Sequence, residues 1–161
     1  VRGFFISYIC NSPIKKTMNQ ALLNVHSYLA YAALALLVLA SINAILGLTS
    51  KKLFTDKDLR ISLFTMIICH IQLLVGLIVY FVSEKGFQAF AIEGAMKNSD
   101  LRLTMLEHPL INIIALVLIT IGWSKHKKEE SNNGKFKKIA VFYMLGLVLI
   151  LSRLPWSSWL N

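Results

Sequence analysis

Residues 61–82 read ISLFTMIICHIQLLVGLIVYFV, an apolar run without Lys, Arg, Asp or Glu. At about 1.5 Å per residue, a helix of this length spans a hydrocarbon core about 30 Å thick. Apolar side chains cover every side of such a helix, whereas a helix of a soluble domain keeps them on one stripe. The run therefore predicts a transmembrane helix.

Three further apolar runs are long enough to cross a bilayer, and none of them contains Lys or Asp. They are Val25–Leu48, Leu103–Trp123 and Ile139–Leu154. Apolar residues make up 56% of the chain, mean hydropathy is +0.62, and the 16% of charged residues fall almost entirely between the runs. Because the connections are short, consecutive helices are expected to run antiparallel. The sequence predicts an all-α fold, a transmembrane antiparallel four-helix bundle that forms one domain over residues 18–161.

The first seventeen residues stand apart from these runs. The chain opens with Val1, and its first methionine is Met18. We expect residues 1–17 to be a disordered or surface-lying tail, because their apolar stretch is too short to span a membrane. Cys10 lies in this tail and Cys69 in the second run, so no structural disulfide is expected.

Cations concentrate on one side of the predicted bundle, where the first and third connections together carry ten of them. They are Lys51, Lys52, Lys57, Arg60, Lys125, Lys127, Lys128, Lys135, Lys137 and Lys138. Positive charge is retained in the cytoplasm, so both termini are expected outside. This asymmetry and attraction to anionic lipid account for the net charge of +9, which gives no reason to expect a nucleic-acid partner.

The connections between the runs carry local signals of their own. Thr55, followed by Asp56 and Asp58, predicts a capped start of the second helix. Residues 129–134 predict a solvated turn, and nearby His126 is expected to be a surface residue.

The outer connection, residues 83–102, is the longest one. Phe87, Phe90, Ala91 and Ala95 recur in it at helical spacing. This pattern predicts an amphipathic helix that lies along the membrane interface.

Polar side chains at membrane depth are costly and tend to face the interior of a bundle, so they are the candidate functional residues. In chain order they are His26, Asn43, His70, Gln72, Glu107, His108, Asn112 and Arg153. The predicted boundaries place His26 near the outer surface, His108 less than about 10 Å below it, and His70 about halfway across.

Small residues share helix faces with these polar groups, which favours close packing on those faces. Stripes at helical spacing join His26 to Ala30, Ala33, Ala40 and Ala44; His108 to Asn112 and Ala115; and Gln72 to Gly76 and Tyr80. Since His70 and Gln72 lie on different sides of the second helix, they are expected to contact different neighbours.

Transmembrane histidines on facing helices are an ordinary way to hold a haem, whose iron accepts two neutral imidazoles. His26, His70 and His108 are the candidate ligands, and the Glu107–Pro109 segment favours His108 because the proline loosens the backbone. In one alternative each histidine only hydrogen-bonds a neighbouring helix. In another, His26, Glu107 and His108 form a metal or proton site, although a fourth ligand is lacking.

Glu107 and Arg153 are predicted at similar depth on consecutive helices, where a structural ion pair would allow both to be tolerated. If these charges serve a cofactor instead, Arg153 or Arg102 forms a salt bridge with a haem propionate. The sequence leaves both versions open.

The chain resembles a family of small four-span bacterial inner-membrane proteins labelled cytochrome b-like, over residues 24–156. The resemblance rests on His26-Ser27, residues 70–81 (HIQLLVGLIVYF), Leu101-Arg102, Glu107-His108-Pro109, Thr120-Ile121-Gly122 and Pro155-Trp156. A more distant similarity is to the four-helix half of haem A synthase. Where the cytochrome b-like family usually has Arg-Trp after the first histidine, this chain has Ala30-Tyr31.

The resemblance implies a haem b-binding protein of the bacterial inner membrane. Its axial ligands would be His108 paired with either His70 or His26. In other hypotheses the chain is a cofactor-free accessory or assembly subunit of a larger membrane complex, or a small channel formed with a second copy. No hydrolytic motif is visible, so an enzyme of this sequence would have to be a haem enzyme.

Overall fold

The computed structural model describes the backbone of residues 13–159 and the side chains of residues 17–157. Within this part the chain forms helices and turns without a strand, which confirms the all-α prediction. Its four long helices are α1 (Pro13–Thr49), α2 (Asp56–Val82), α3 (His108–His126) and α4 (Asn132–Ser152). A short helix, Ser99–Arg102, and a π-helical turn, Leu103–Glu107, lead directly into α3. A last turn follows at Trp156–Trp159.

Three helical stretches are long and apolar enough to cross a membrane, judged by length and composition. They are Thr17–Thr49, Asp56–Ala91 and Ser99–His126. The fourth predicted run, Ile139–Leu154, extends two residues beyond α4, which ends at Ser152, and Lys135, Lys137 and Lys138 occupy the first turns of that helix and shorten its uncharged part. A fourth crossing, and with it the four-helix transmembrane bundle, stays a prediction.

The long helices contact one another in a closed ring, in which α1 packs against α2 and α4, and α3 packs against the same two helices. Small residues let them approach closely. Ala33, Ala40 and Ala44 of α1 are buried, as the alanine stripe predicts. A Cβ at Gly146 of α4 would lie 2.8 Å from Cγ1 of Ile119 on α3, so a larger residue would force these helices apart.

The outward surfaces of the helices are strongly apolar. Leu39, Phe64, Leu74 and Val148 are each between 57% and 61% exposed. Large apolar side chains exposed on three different helices fit contact with lipid.

A buried carboxylate joins the end of α1 to the start of α2. Asp58, only 2% exposed, accepts hydrogen bonds from the Lys52 ammonium (2.8 Å), the Asn43 amide (2.9 Å), and the Thr55 hydroxyl and backbone amide (2.7 and 3.0 Å). Thr55 is the N-cap residue of α2, as predicted. The network fixes the turn between the two helices, because every oxygen of the carboxylate has a donor.

Two further hydrogen bonds join α4 to the end of the molecule that contains Asp58. The Tyr143 hydroxyl donates to the Ser62 carbonyl (2.8 Å), and the Asn132 side chain accepts from the Phe54 amide (2.9 Å). His126 is buried here rather than exposed, so the prediction of a surface residue is wrong. Its ring packs against Phe54 and Trp123.

The outer connection differs from the predicted amphipathic helix. It forms two short 3-10 helices, Phe87–Ala91 and Ala95–Lys97, separated by Gly94 with a φ of 77°. A left-handed residue ends a regular helix, which explains the interruption. The tail predicted for residues 1–17 lies mostly outside the described residues, but α1 begins at Pro13, so residues 13–17 are helical.

The hydrogen bonds of Asp58 predict that removing this carboxylate destabilises the protein, and the neighbouring Asp56 provides a control. Asp58→Ala leaves the amides of Thr55 and Asn43 without their acceptor, and it should lower the free energy of unfolding by about 2–4 kcal/mol. Asp56→Ala removes an exposed carboxylate from the same helical turn and should cost less than about 1 kcal/mol. Equilibrium unfolding of the detergent-solubilised variants measures both, and equal losses would contradict the assigned role.

Candidate functional site

The structure brings His26 of α1 and His108 of α3 together, at the end of the molecule opposite Asp58. Their ring centroids are 6.4 Å apart, and the ring planes are nearly perpendicular at 85°. Both side chains are partly buried. This histidine pair is the centre of the candidate site.

Two residues of α2 hold His26 in place. The Gln72 amide nitrogen donates to the His26 carbonyl (3.0 Å) and lies 3.2 Å from Nδ1 of the imidazole. A Cβ at Gly76, one turn further on, would lie 3.0 Å from Cε1 of the ring. Glycine at this position therefore gives the imidazole its space, as the predicted stripe of Gln72 and Gly76 suggests.

His108 is held by the chain segment that follows α4. Its Nδ1 lies 2.9 Å from the Arg153 carbonyl, to which it donates, since a carbonyl can only accept. The Asn112 amide donates to the His108 carbonyl (2.6 Å) and fixes the turn below it. In the neutral imidazole, Nε2 of His108 then carries a lone pair that can bind a metal. A metal-binding histidine typically donates its other ring N–H to a carbonyl in this way.

A local break in the helix presents His108. The His108 amide bonds to the Leu103 carbonyl, five residues back, in a π-helical turn that ends just before Pro109. Proline has no N–H, so the Met105 carbonyl loses its ordinary α-helical donor. The Tyr80 hydroxyl of α2 donates to that carbonyl instead, at 3.0 Å. The loosened backbone predicted around Pro109 is thus stabilised by a neighbouring helix.

Charged groups surround the histidine pair on its outer side. Glu107 contacts Arg102 (Nε to Oε1, 2.8 Å) and Arg153 (Nε to Oε2, 3.3 Å). The guanidinium side chains are 41% and 48% exposed, and the carboxylate is 30% exposed. Glu107 is therefore shared between two arginines rather than paired with Arg153 alone.

His70 does not join the pair. Its Nδ1 donates to the Met66 carbonyl of its own helix (2.8 Å), and its Nε2 faces the Thr120 hydroxyl of α3 at 3.5 Å. It lies six residues before Gly76 along α2, or about 9 Å deeper along the helix axis. The structure thus separates the two predicted ligand pairs and brings together only the pair of His26 and His108.

The spacing of the two imidazoles is compatible with a shared metal ion. Ring centroids about 4.5–7 Å apart with perpendicular planes are ordinary for two packed rings, and two imidazoles that share one metal ion have centroids roughly 6–6.5 Å apart, so both arrangements include this spacing. The observed separation of 6.4 Å lies in this range. The three-ligand alternative of His26, Glu107 and His108 has less support, because no group of three or more His, Cys, Asp or Glu side chains within residues 17–157 is placed to hold a metal ion.

Comparison with protein-family models, with curated proteins and with solved structures found no match. The histidine pair and its immediate contacts therefore carry the functional argument.

The contact between Tyr80 and Met105 can be tested by a double-mutant cycle. Tyr80→Phe should lower the free energy of unfolding by about 1 kcal/mol in the wild-type chain. In a Pro109→Ala background the same change should cost close to nothing, because the restored amide can bond to the Met105 carbonyl.

Tyr28→Phe serves as the control, since Tyr28 is 74% exposed and its loss of a hydroxyl should leave stability unchanged. If Tyr80→Phe costs the same free energy of unfolding in both backgrounds, the Tyr80 hydroxyl does not substitute for the N–H that Pro109 lacks.

Proposed function

We propose that this chain is a multi-pass membrane protein that binds one haem b, which His26 and His108 would hold through their imidazoles. The observation that carries the proposal is the pairing of two imidazoles from different helices at a centroid separation of 6.4 Å. A haem held this way supplies one-electron redox chemistry.

The contacts around each ring support this assignment. His108 uses Nδ1 for the Arg153 carbonyl, which leaves Nε2 available as a ligand atom. The His26 ring packs against Gly76, and the Gln72 side chain lies 3.2 Å from its Nδ1, where an amide turned to present its oxygen would accept the Nδ1 proton of a ligating imidazole. An imidazole that is already oriented loses little freedom when it binds a metal, so His108 is prepared for the cofactor, whereas binding by His26 needs the Gln72 amide to turn.

Arg102 and Arg153 are proposed to bind the haem propionates. Both guanidinium groups are partly exposed beside the histidine pair, and Glu107 leaves each with further donors. A propionate would then share the arginines with Glu107. The same two side chains would neutralise negative charge that the cofactor brings to the membrane surface.

For the membrane arrangement we propose four antiparallel crossings, with α4 as the fourth. The Lys-rich connections lie on the cytoplasmic side of a bacterial inner membrane, and both termini lie outside. In support, the helices contact in a closed ring, and the ten cations of the first and third connections belong to one end of it. The histidine pair then lies near the outer surface.

A second candidate function is that of a cofactor-free accessory subunit in a larger membrane complex. The observation that favours it is a group of exposed apolar side chains in the outer connection. Phe87, Phe90, Ile92 and Met96 are between 48% and 57% exposed. Such a surface could bury itself against a partner subunit or a second copy of the chain.

The haem proposal predicts a b-type reduced-minus-oxidised absorption spectrum for the protein purified with haem supplied. His26→Ala and His108→Ala should each abolish it, because each removes an axial ligand. His70→Ala is the matched control and should keep the spectrum, since His70 is hydrogen-bonded elsewhere.

Two results would overturn the proposal. A colourless wild-type protein, folded and supplied with haem, would favour the accessory subunit instead. A spectrum that His70→Ala abolishes and His26→Ala preserves would move the site to the other predicted pair of histidines.

A further inference from the structure

A groove of about 800 Å³ lies between α1 and α2, at the end of the molecule that carries the Lys-rich connections. Its walls are mostly apolar. Leu36, Leu39 and Leu46 line the α1 side, and Ile61 and Phe64 line the α2 side. Much of this surface is open to the surroundings, since Leu39 and Leu46 are 58% and 60% exposed.

The depth of the groove matches one leaflet of a membrane. The part of α1 that lines the groove, from Leu46 to Leu36, is ten residues or about 15 Å long. This length is half of a hydrocarbon core of about 30 Å. The inner end is fixed, because the Thr65 hydroxyl of α2 donates to the Leu36 carbonyl at 3.2 Å. The groove thus runs from the membrane surface towards the midplane.

Two cations lie at the mouth of the groove. Lys57 and Arg60 line it, and they share the face of α2 that carries Phe64, at spacings of three and four residues. Within residues 17–157 neither side chain is engaged in an ion pair or a hydrogen bond. The carboxylate of Asp56 also lines the mouth, which therefore keeps a net positive charge.

The Asp58 network does not neutralise these cations. Asp58 is paired with Lys52 at 2.8 Å, so its charge is already compensated. Lys57 and Arg60 remain available, at the surface, for an anion that arrives together with an apolar chain.

We propose that the groove binds an anionic phospholipid from the leaflet on the Lys-rich side. One acyl chain lies along Leu39, Leu46 and Phe64, and Lys57 and Arg60 bind the phosphate. Arginine suits this role because its guanidinium binds two phosphate oxygens at once. The inference needs the chain to lie in a membrane, but it does not depend on haem.

The experiment is native mass spectrometry of the full chain in detergent, with phosphatidylglycerol and phosphatidylcholine of identical acyl chains. The wild type should retain phosphatidylglycerol in preference. The double variant K57Q/R60Q should weaken its retention by about fivefold per cation, since each cation near an anionic headgroup contributes about 1 kcal/mol. Both side chains are exposed on the helix surface, so the variant should fold.

Two matched controls separate a site from general attraction. K128Q/K137Q removes the same charge from exposed positions at the same end and should leave the preference unchanged. Leu39→Trp fills the groove and should lower lipid retention, whereas Leu145→Trp, on the exposed face of α4, should not.

Three outcomes would overturn the proposal. Equal retention of the two lipids by the wild type would remove the headgroup preference. Equal losses in K57Q/R60Q and K128Q/K137Q would show diffuse electrostatic attraction without a site. Competition by inorganic phosphate, with no effect of Leu39→Trp, would show an anion site that holds no lipid.

Discussion

Although the buried Ser41 hydroxyl has no partner among residues 17–157, a side-chain N–H or O–H without an acceptor is costly at membrane depth, and this constraint organises the packing of the helices. The structure meets it with donors that reach the backbone carbonyls of another segment. A carbonyl has two lone pairs, so it can accept such a bond without giving up its own helical one. Each of these bonds fixes the register of two segments. They join Thr65 to Leu36, Gln72 to His26, Tyr80 to Met105, Tyr143 to Ser62 and His108 to Arg153.

The two ends of the molecule satisfy their polar groups differently. At the Lys-rich end, each oxygen of the Asp58 carboxylate accepts from two donors of the same chain. At the opposite end, the contacts of His108 use only one nitrogen of the imidazole. The first arrangement stabilises a turn, whereas the second leaves a ligand atom near a second histidine. The difference explains why the candidate cofactor site is placed at the end opposite the Lys-rich connections.

The sequence predicts which side chains donate hydrogen bonds between segments much better than it predicts which backbone carbonyls accept them. Apolar runs and their lengths predict the long helices, and the stripe of Gln72, Gly76 and Tyr80 predicts the inward face of α2. The acceptors escape prediction because every residue has a backbone carbonyl, and only the register of the helices decides which one is reached. The burial of His126 escapes prediction for a related reason, since Phe54, which packs against its ring, comes from the connection between α1 and α2. The choice between His70 and His26 as the partner of His108 likewise depends on register.

The orientation of the Gln72 amide separates the two hypotheses about His26. As assigned, its nitrogen faces the His26 carbonyl and Nδ1, and its oxygen is buried without a hydrogen-bond partner in the part of the chain that the structure describes. An imidazole that binds iron through Nε2 carries its proton on Nδ1 and needs an acceptor there. A half-turn of the amide would bring the unpartnered oxygen to Nδ1, at the cost of the bond to the carbonyl. A structural histidine and a haem ligand therefore require opposite orientations of Gln72, so this one side chain links the packing of α1 and α2 to the proposed function.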